Sequence, residues 1–181
     1  MKHSTKRIVL LGTGLLGLIA AGFVTSIFAG IPDNGPLAAD VRADKVVIDK
    51  GERRLRLLRD GETLKTYRIA LGFNPHGPKQ REGDGRTPEG SYVIDWRNPQ
   101  STSHLSLHVS YPDANDRQRA KANGVHPGGD IMIHGLGASM AAVGKAHALK
   151  DWTAGCIAVT NGEMDEIWRA VPDGTPIDIT P

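Results

Sequence analysis

Residues 45–71 read KVVIDKGERRLRLLRDGETLKTYRIAL, and this stretch decides the fold. Val46, Val47 and Ile48 form a short β-branched run, a composition that suits pleated backbone. Leu55, Leu57 and Leu58 make a second apolar run, and Leu64, Tyr67, Ile69 and Leu71 a third. Between the last two stands Arg59-Asp60-Gly61-Glu62, and an Asp-Gly pair flanked by apolar runs is a hairpin signal. The stretch therefore predicts a three-stranded antiparallel meander.

Downstream, residues 72–90 (GFNPHGPKQREGDGRTPEG) are dense in Gly, Pro and charge and lack periodicity. They read as a long loop, and loops of this length in compact domains are often functional. Ser91 to Trp96 and Leu105 to Tyr111 read as further strands. Asp116 to Asn123 reads as a short helix closed by Gly124, and Ile131-Met132-Ile133 as a brief strand that delivers His134. Residues 139–149 suggest a helix interrupted by Gly144. After a strand at Ile157 to Val159, Thr160 and Glu163 fit a capping box. Met164, Ile167, Trp168 and Val171 then follow at i, i+3, i+4 and i+7 along one helix face. Pro172-Asp173-Gly174 ends that helix, and Ile177 to Ile179 is the last strand. Strands dominate without βαβ alternation, so the expected fold is mainly β, a sheet or sandwich with one or two short helices.

Upstream, residues 30–44 are Pro/Gly/Ala-rich and read as a linker. Ahead of them Ile8 to Ala29 is a 22-residue run without charge, preceded by Lys2, Lys6 and Arg7. Such a run is long enough to span a bilayer, and its basic flank predicts a cytoplasmic N-terminal side. Residues 1–29 are thus expected to be a signal peptide or a membrane anchor, with the anchor favoured by length. The body, residues 45–181, is expected to be one domain in the periplasm or cell envelope. Removing the three leader bases leaves 19 basic against 20 acidic residues, a near-neutral body with no electrostatic case for nucleic acid. Aromatics make up only 5% of the chain, so the core must be aliphatic. A monomer is expected.

One cysteine is present, Cys156, so no intramolecular disulfide can form. An exported chain gains nothing from an idle exposed thiol, so Cys156 is a partner-seeking thiol, a small core residue or a nucleophile. It sits in Thr153-Ala154-Gly155-Cys156-Ile157, where the small Gly155 lets a substrate carbonyl approach and the N–H groups of Gly155 and Cys156 are candidates for an oxyanion hole. A thiol needs a base, and His134 at a strand end is the candidate. His126, Asp130 and His134 are spaced at i, i+4 and i+8, but Pro127-Gly128-Gly129 breaks any helix that would gather them, so no metal is expected. His76, His104, His108 and His147 carry no motif and read as solvated, with His108 the best second candidate.

Three ordered blocks resemble the L,D-transpeptidase (YkuD-type) catalytic domain. They are Gly83-Asp84-Gly85-Arg86-Thr87-Pro88-Glu89-Gly90, Pro127-Gly128-Gly129-Asp130-Ile131-Met132-Ile133-His134-Gly135, and Thr153-Ala154-Gly155-Cys156-Ile157 with Asn161. The resemblance implies a β-rich sandwich and an exported cysteine acyl-transferase of peptidoglycan stem peptides, serving cell-wall organisation and cell shape. It needs no cofactor. By the family pattern Cys156 attacks a stem-peptide carbonyl on an L-centre, His134 takes the thiol proton, the Gly135 carbonyl orients its ring, and Gly155 joins the oxyanion hole. Arg86, Thr153 and Asn161 are expected at the substrate. Two positions depart from the pattern: Ala154 stands where the family has His, and Ala158 where it has Arg. Transfer, hydrolysis by an L,D-carboxypeptidase, and a non-catalytic wall-binding module therefore all remain open.

Overall fold

The computed structural model describes residues 35–181. The expected leader, and residues 30–34 of the expected linker, lie outside them. Residues 35–44 were expected as linker, yet they lie against the domain: Ala43 is buried, its N–H donates to Ala170 O at 2.8 Å, and Leu37 packs on the core. Among the described residues no helix is long and apolar enough to cross a membrane.

The meander is present. Strands β1 (Lys45–Asp49), β2 (Arg54–Arg59) and β3 (Glu62–Arg68) pair antiparallel in sequence. Asp60 and Gly61 both take positive φ, 51° and 83°, the geometry a tight two-residue hairpin needs. In β2 Leu55 and Leu57 are fully buried while Arg54 and Arg56 are only half-buried, as a period of two requires.

The remaining strands are β4 (Gly90–Asn98), β5 (Ser106–Val109), β6 (Met132–His134), β7 (Ile157–Ala158) and β8 (Pro176–Thr180). All eight form one sheet in the order β3-β2-β1-β8-β4-β5-β6-β7, with β1·β8 and β6·β7 parallel and the other pairs antiparallel. Long β4 serves both halves: its first residues pair with β8, and a bulge between Ile94 and Trp96 re-aims the rest onto β5. The halves enclose one aliphatic core that runs from Ile48, Leu55 and Ile177 to Leu107, Ile133 and Ile157. The fold is thus the mainly β, sandwich-like one expected.

Among the described residues three short helical segments occur where one or two were expected. Helix α1 (Ala114–Ala122) starts two residues early because Asp113 and Asp116 form a capping box. Residues Ala141–Leu149 form 3-10 turns broken at Gly144 (φ 55°, ψ −140°). Helix α2 (Asn161–Ala170) carries the expected Thr160–Glu163 box and buries Met164, Ile167 and Ala170.

Candidate active site

His134 is the last residue of β6, and Cys156 immediately precedes β7. The two strands pair in parallel, Ile133 opposite Ile157 and His134 opposite Ala158. Residues 22 apart in sequence therefore sit on adjacent strands of one sheet edge. The Cys156 thiol is half-buried and donates to Asp130 O at 3.5 Å.

His134 is 9% exposed, and its Nδ1 lies 2.6 Å from Gly135 O. A carbonyl oxygen only accepts, so Nδ1 carries the hydrogen and Nε2 of the neutral ring is the bare, accepting nitrogen. Burial pushes the His134 imidazole below its ordinary value, opposed by the Gly135 contact. Burial pushes the Cys156 thiol up, opposed by a hydrogen bond from the Met132 backbone. Both shifts disfavour a resting thiolate–imidazolium pair.

The turn that presents Cys156 is tightly built. Thr153 Oγ1 donates to Cys156 O at 2.7 Å and accepts from Gly155 N at 3.1 Å. Gly155 has φ +140°, and a Cβ there would lie 2.7 Å from Arg86 O, so this position needs glycine. Three of the expected site residues have hydrogen-bond partners within the chain. Thr153, expected at the substrate, is 5% exposed and its hydroxyl is engaged within the chain, where it shapes the Cys156 turn. Asn161 Oδ1 accepts from Leu136 N at 2.6 Å, which pins the His134-Gly135-Leu136 turn from the start of α2. The Gly155 N–H, expected in an oxyanion hole, is already donated to Thr153.

Arg86 lies on the loop 72–90, which is ordered by buried polar anchors. The buried ammonium of Lys50 binds Gly77 O at 2.7 Å, Thr87 O at 3.0 Å and Glu89 Oε1 at 2.7 Å. Lys79 and Asp84 form a second buried pair at 2.8 Å. Burial raises the Asp84 carboxyl, but hydrogen bonds from Gln80, Lys79, Arg86 and Arg81 prevail and hold it below the usual range. An open pocket of about 460 Å³ is lined by Arg86 together with Asn74, Gln80, Arg81 and Asn123, among others, and not by Cys156 or His134. The Arg86 backbone is what reaches the Cys156 turn.

Among the histidines, sequence reasoning missed His147. It is 3% exposed, and neither ring nitrogen has a partner among the described residues. Burial and the nearby His134 push it down to about 4. Only its place in an apolar Ala146-His147-Ala148-Leu149 run hinted at burial. Trp152 meets the His134 ring edge-on at 6.0 Å. His108, the second candidate, instead bonds Asp95 Oδ1 at 2.6 Å on β5. His104 bonds Asp165 at 2.7 Å, and exposed His126 contacts Glu82 at 3.0 Å. Among the described residues no group of His, Cys, Asp and Glu is arranged to hold a metal.

Residues 43–179 match the family model described as the L,D-transpeptidase catalytic domain, YkuD. The Escherichia coli K12 protein named "Putative L,D-transpeptidase YafK" is 35% identical over 133 residues, covering 70% of this chain and 46% of that protein. The chain thus spans about half the length of the curated relatives it matches. A mutant of the helical cell shape determining protein Pgp2 from Campylobacter jejuni superposes with a TM-score of 0.58 at 25% identity, over 87% of this chain and 52% of that one. An L,D-transpeptidase from Xylanimonas cellulosilytica shares the fold, with a TM-score of 0.50 at 16% identity over 81% of this chain and 64% of that one.

Proposed function

The chain belongs to the L,D-transpeptidase catalytic-domain family, and on that premise we propose that it is an exported cysteine acyl-transferase acting on peptidoglycan stem peptides. One observation carries the reading: the His134 Nδ1 hydrogen bond to Gly135 O, which leaves Nε2 as a base on the strand beside Cys156.

In the proposed reaction substrate binding excludes water, and Nε2 takes the thiol proton as sulfur attacks the stem-peptide carbonyl. The S–C bond forms and the oxyanion is received by the Cys156 N–H. The C–N bond then breaks, and the leaving D-amino acid takes the proton back from His134. The acyl-enzyme passes to an acceptor amine, which restores the thiol. Ala154 and Ala158, small where the family has His and Arg, favour a second reading in which water is the acceptor. We place the enzyme in the cell envelope, held or delivered by residues 1–29, with residues 45–181 as the catalytic unit.

Purified protein incubated with muropeptides is the test. Wild type is expected to release the terminal D-amino acid and Cys156→Ala to release none while keeping its circular dichroism spectrum. Equal turnover by the variant would overturn the proposal. Exchanged or cross-linked products identify transfer, and shortened peptides alone identify hydrolysis.

A further inference from the structure

Trp96 is 42% exposed, yet it is held in place. Its ring stacks on His108 with centroids 5.1 Å apart and planes 21° from parallel. The Asp95 carboxylate in turn accepts from His108 Nδ1 at 2.6 Å. The β4 bulge at Asp95 turns Asp95 and Trp96 toward the same neighbour on β5. An aromatic side chain fixed through an imidazole and a carboxylate but left open to solvent is a preformed stacking surface.

Its register ties it to the nucleophile. Trp96 is opposite His108, and His108 is opposite Met132. The next strand places Cys156 one residue before Ile157, which pairs with Ile133, and a hydrogen bond from the Met132 backbone reaches the thiol. Trp96, His108 and Met132 thus form one row across β4, β5 and β6, which Cys156, just ahead of β7, continues. Paired residues share a face and alternate residues return to it, so His134 stands on the same face as Trp96. At about 4.8 Å between strands the row is about 14 Å long, which about four extended residues span.

We propose that the Trp96–His108 shelf binds the N-acetylated sugar to which the stem peptide is attached. The inference rests on the stem-peptide reading above. A pyranose ring offers an apolar C–H face to the indole, while its hydroxyl and acetamide groups meet the Asp95 carboxylate. A short extended peptide would link that sugar to the carbonyl at Cys156. The shelf makes the protein select glycan-linked stems over free peptides.

Binding is measured on full-length Cys156→Ala protein by calorimetry, with a disaccharide-linked tetrapeptide and with the same tetrapeptide free. The linked ligand is expected to bind about tenfold more tightly. Adding Trp96→Ala should remove that difference, and Trp96→Phe should keep most of it. Equal affinities in the parent, or a difference that survives Trp96→Ala, would overturn the inference. Turnover by the wild type is followed in parallel. Its absence, with sugar-dependent binding intact, defeats the acyl-transfer reading and leaves the shelf standing.

Discussion

Burial acts on Cys156 and His134 in opposite directions, raising the thiol and lowering the imidazole. The base is competent only while neutral, so the acid limb of the pH–rate profile for kcat/KM is expected below the ordinary histidine value of about 6.5, and an iodoacetamide titration should give a thiol value above about 8.5. A thiol that titrates well below 8.5 would mean a preformed ion pair. His147 supplies a stability counterpart. The unfolded chain protonates it near 6.5 and the folded chain only near 4, so its contribution to stability is complete above 6.5 and is lost as pH falls toward 4. The loss is on the order of 3 kcal/mol. Urea unfolding from pH 4 to 7 should show this slope, and His147→Leu should flatten it. Thr153→Val tests the turn: kcat is expected to fall at least about tenfold with little change in KM, because the hydroxyl bonds Cys156 O and Gly155 N. The proposed nucleophile and base stood out because each sits in a local block, Gly155-Cys156 and Ile133-His134-Gly135. The contact of Asn161 did not, because its partner Leu136 lies 25 residues away, and that of Thr153 did not, because the turn that brings Gly155 and Cys156 to its hydroxyl has no pattern of its own.

Helix α2 joins stability to the site. Its N-cap Thr160 accepts from Glu163 N at 3.3 Å, and its first residue, Asn161, holds Leu136 N beside the base. Thr160→Ala is expected to cost about 1 kcal/mol in chemical denaturation and also to lower kcat, since a frayed first turn loosens Asn161. Loss of stability with unchanged kcat would separate the cap from the site. Further along, Glu166 ties α2 to β3 through Lys65 at 2.6 Å and Tyr67 OH at 3.0 Å. The α2 box was readable because Thr160 and Glu163 stand just ahead of a clear apolar stripe. The identical device at Asp113 and Asp116 was passed over because α1 has no apolar face, only Ala120 among its apolar residues being buried. Gly144 marked a break in residues 141–149, but nothing local distinguishes 3-10 turns from an α-helix there.

Across the whole molecule, long-range polar anchors order segments that the sequence shows only as loop. Lys50, a lysine just past the end of β1, is 2% exposed and binds groups 27 to 39 residues away. Lys50→Met leaves the Glu89 carboxylate without its partner and is expected to cost about 3 kcal/mol and to open residues 72–90 to limited proteolysis. The meander's hairpin signal is local, so three strands were readable in order and direction. The parallel pairing of β1 with β8 was not, because it joins Val46 to Ile177. That pairing sets a timetable for synthesis. β8 sits mid-sheet between β1 and β4, so the ribosome must deliver residue 180 before either flank can zip onto it. Until then β1–β3 and β4–β7 expose unpaired edges, and the nascent chain must be shielded from self-association or kept extended.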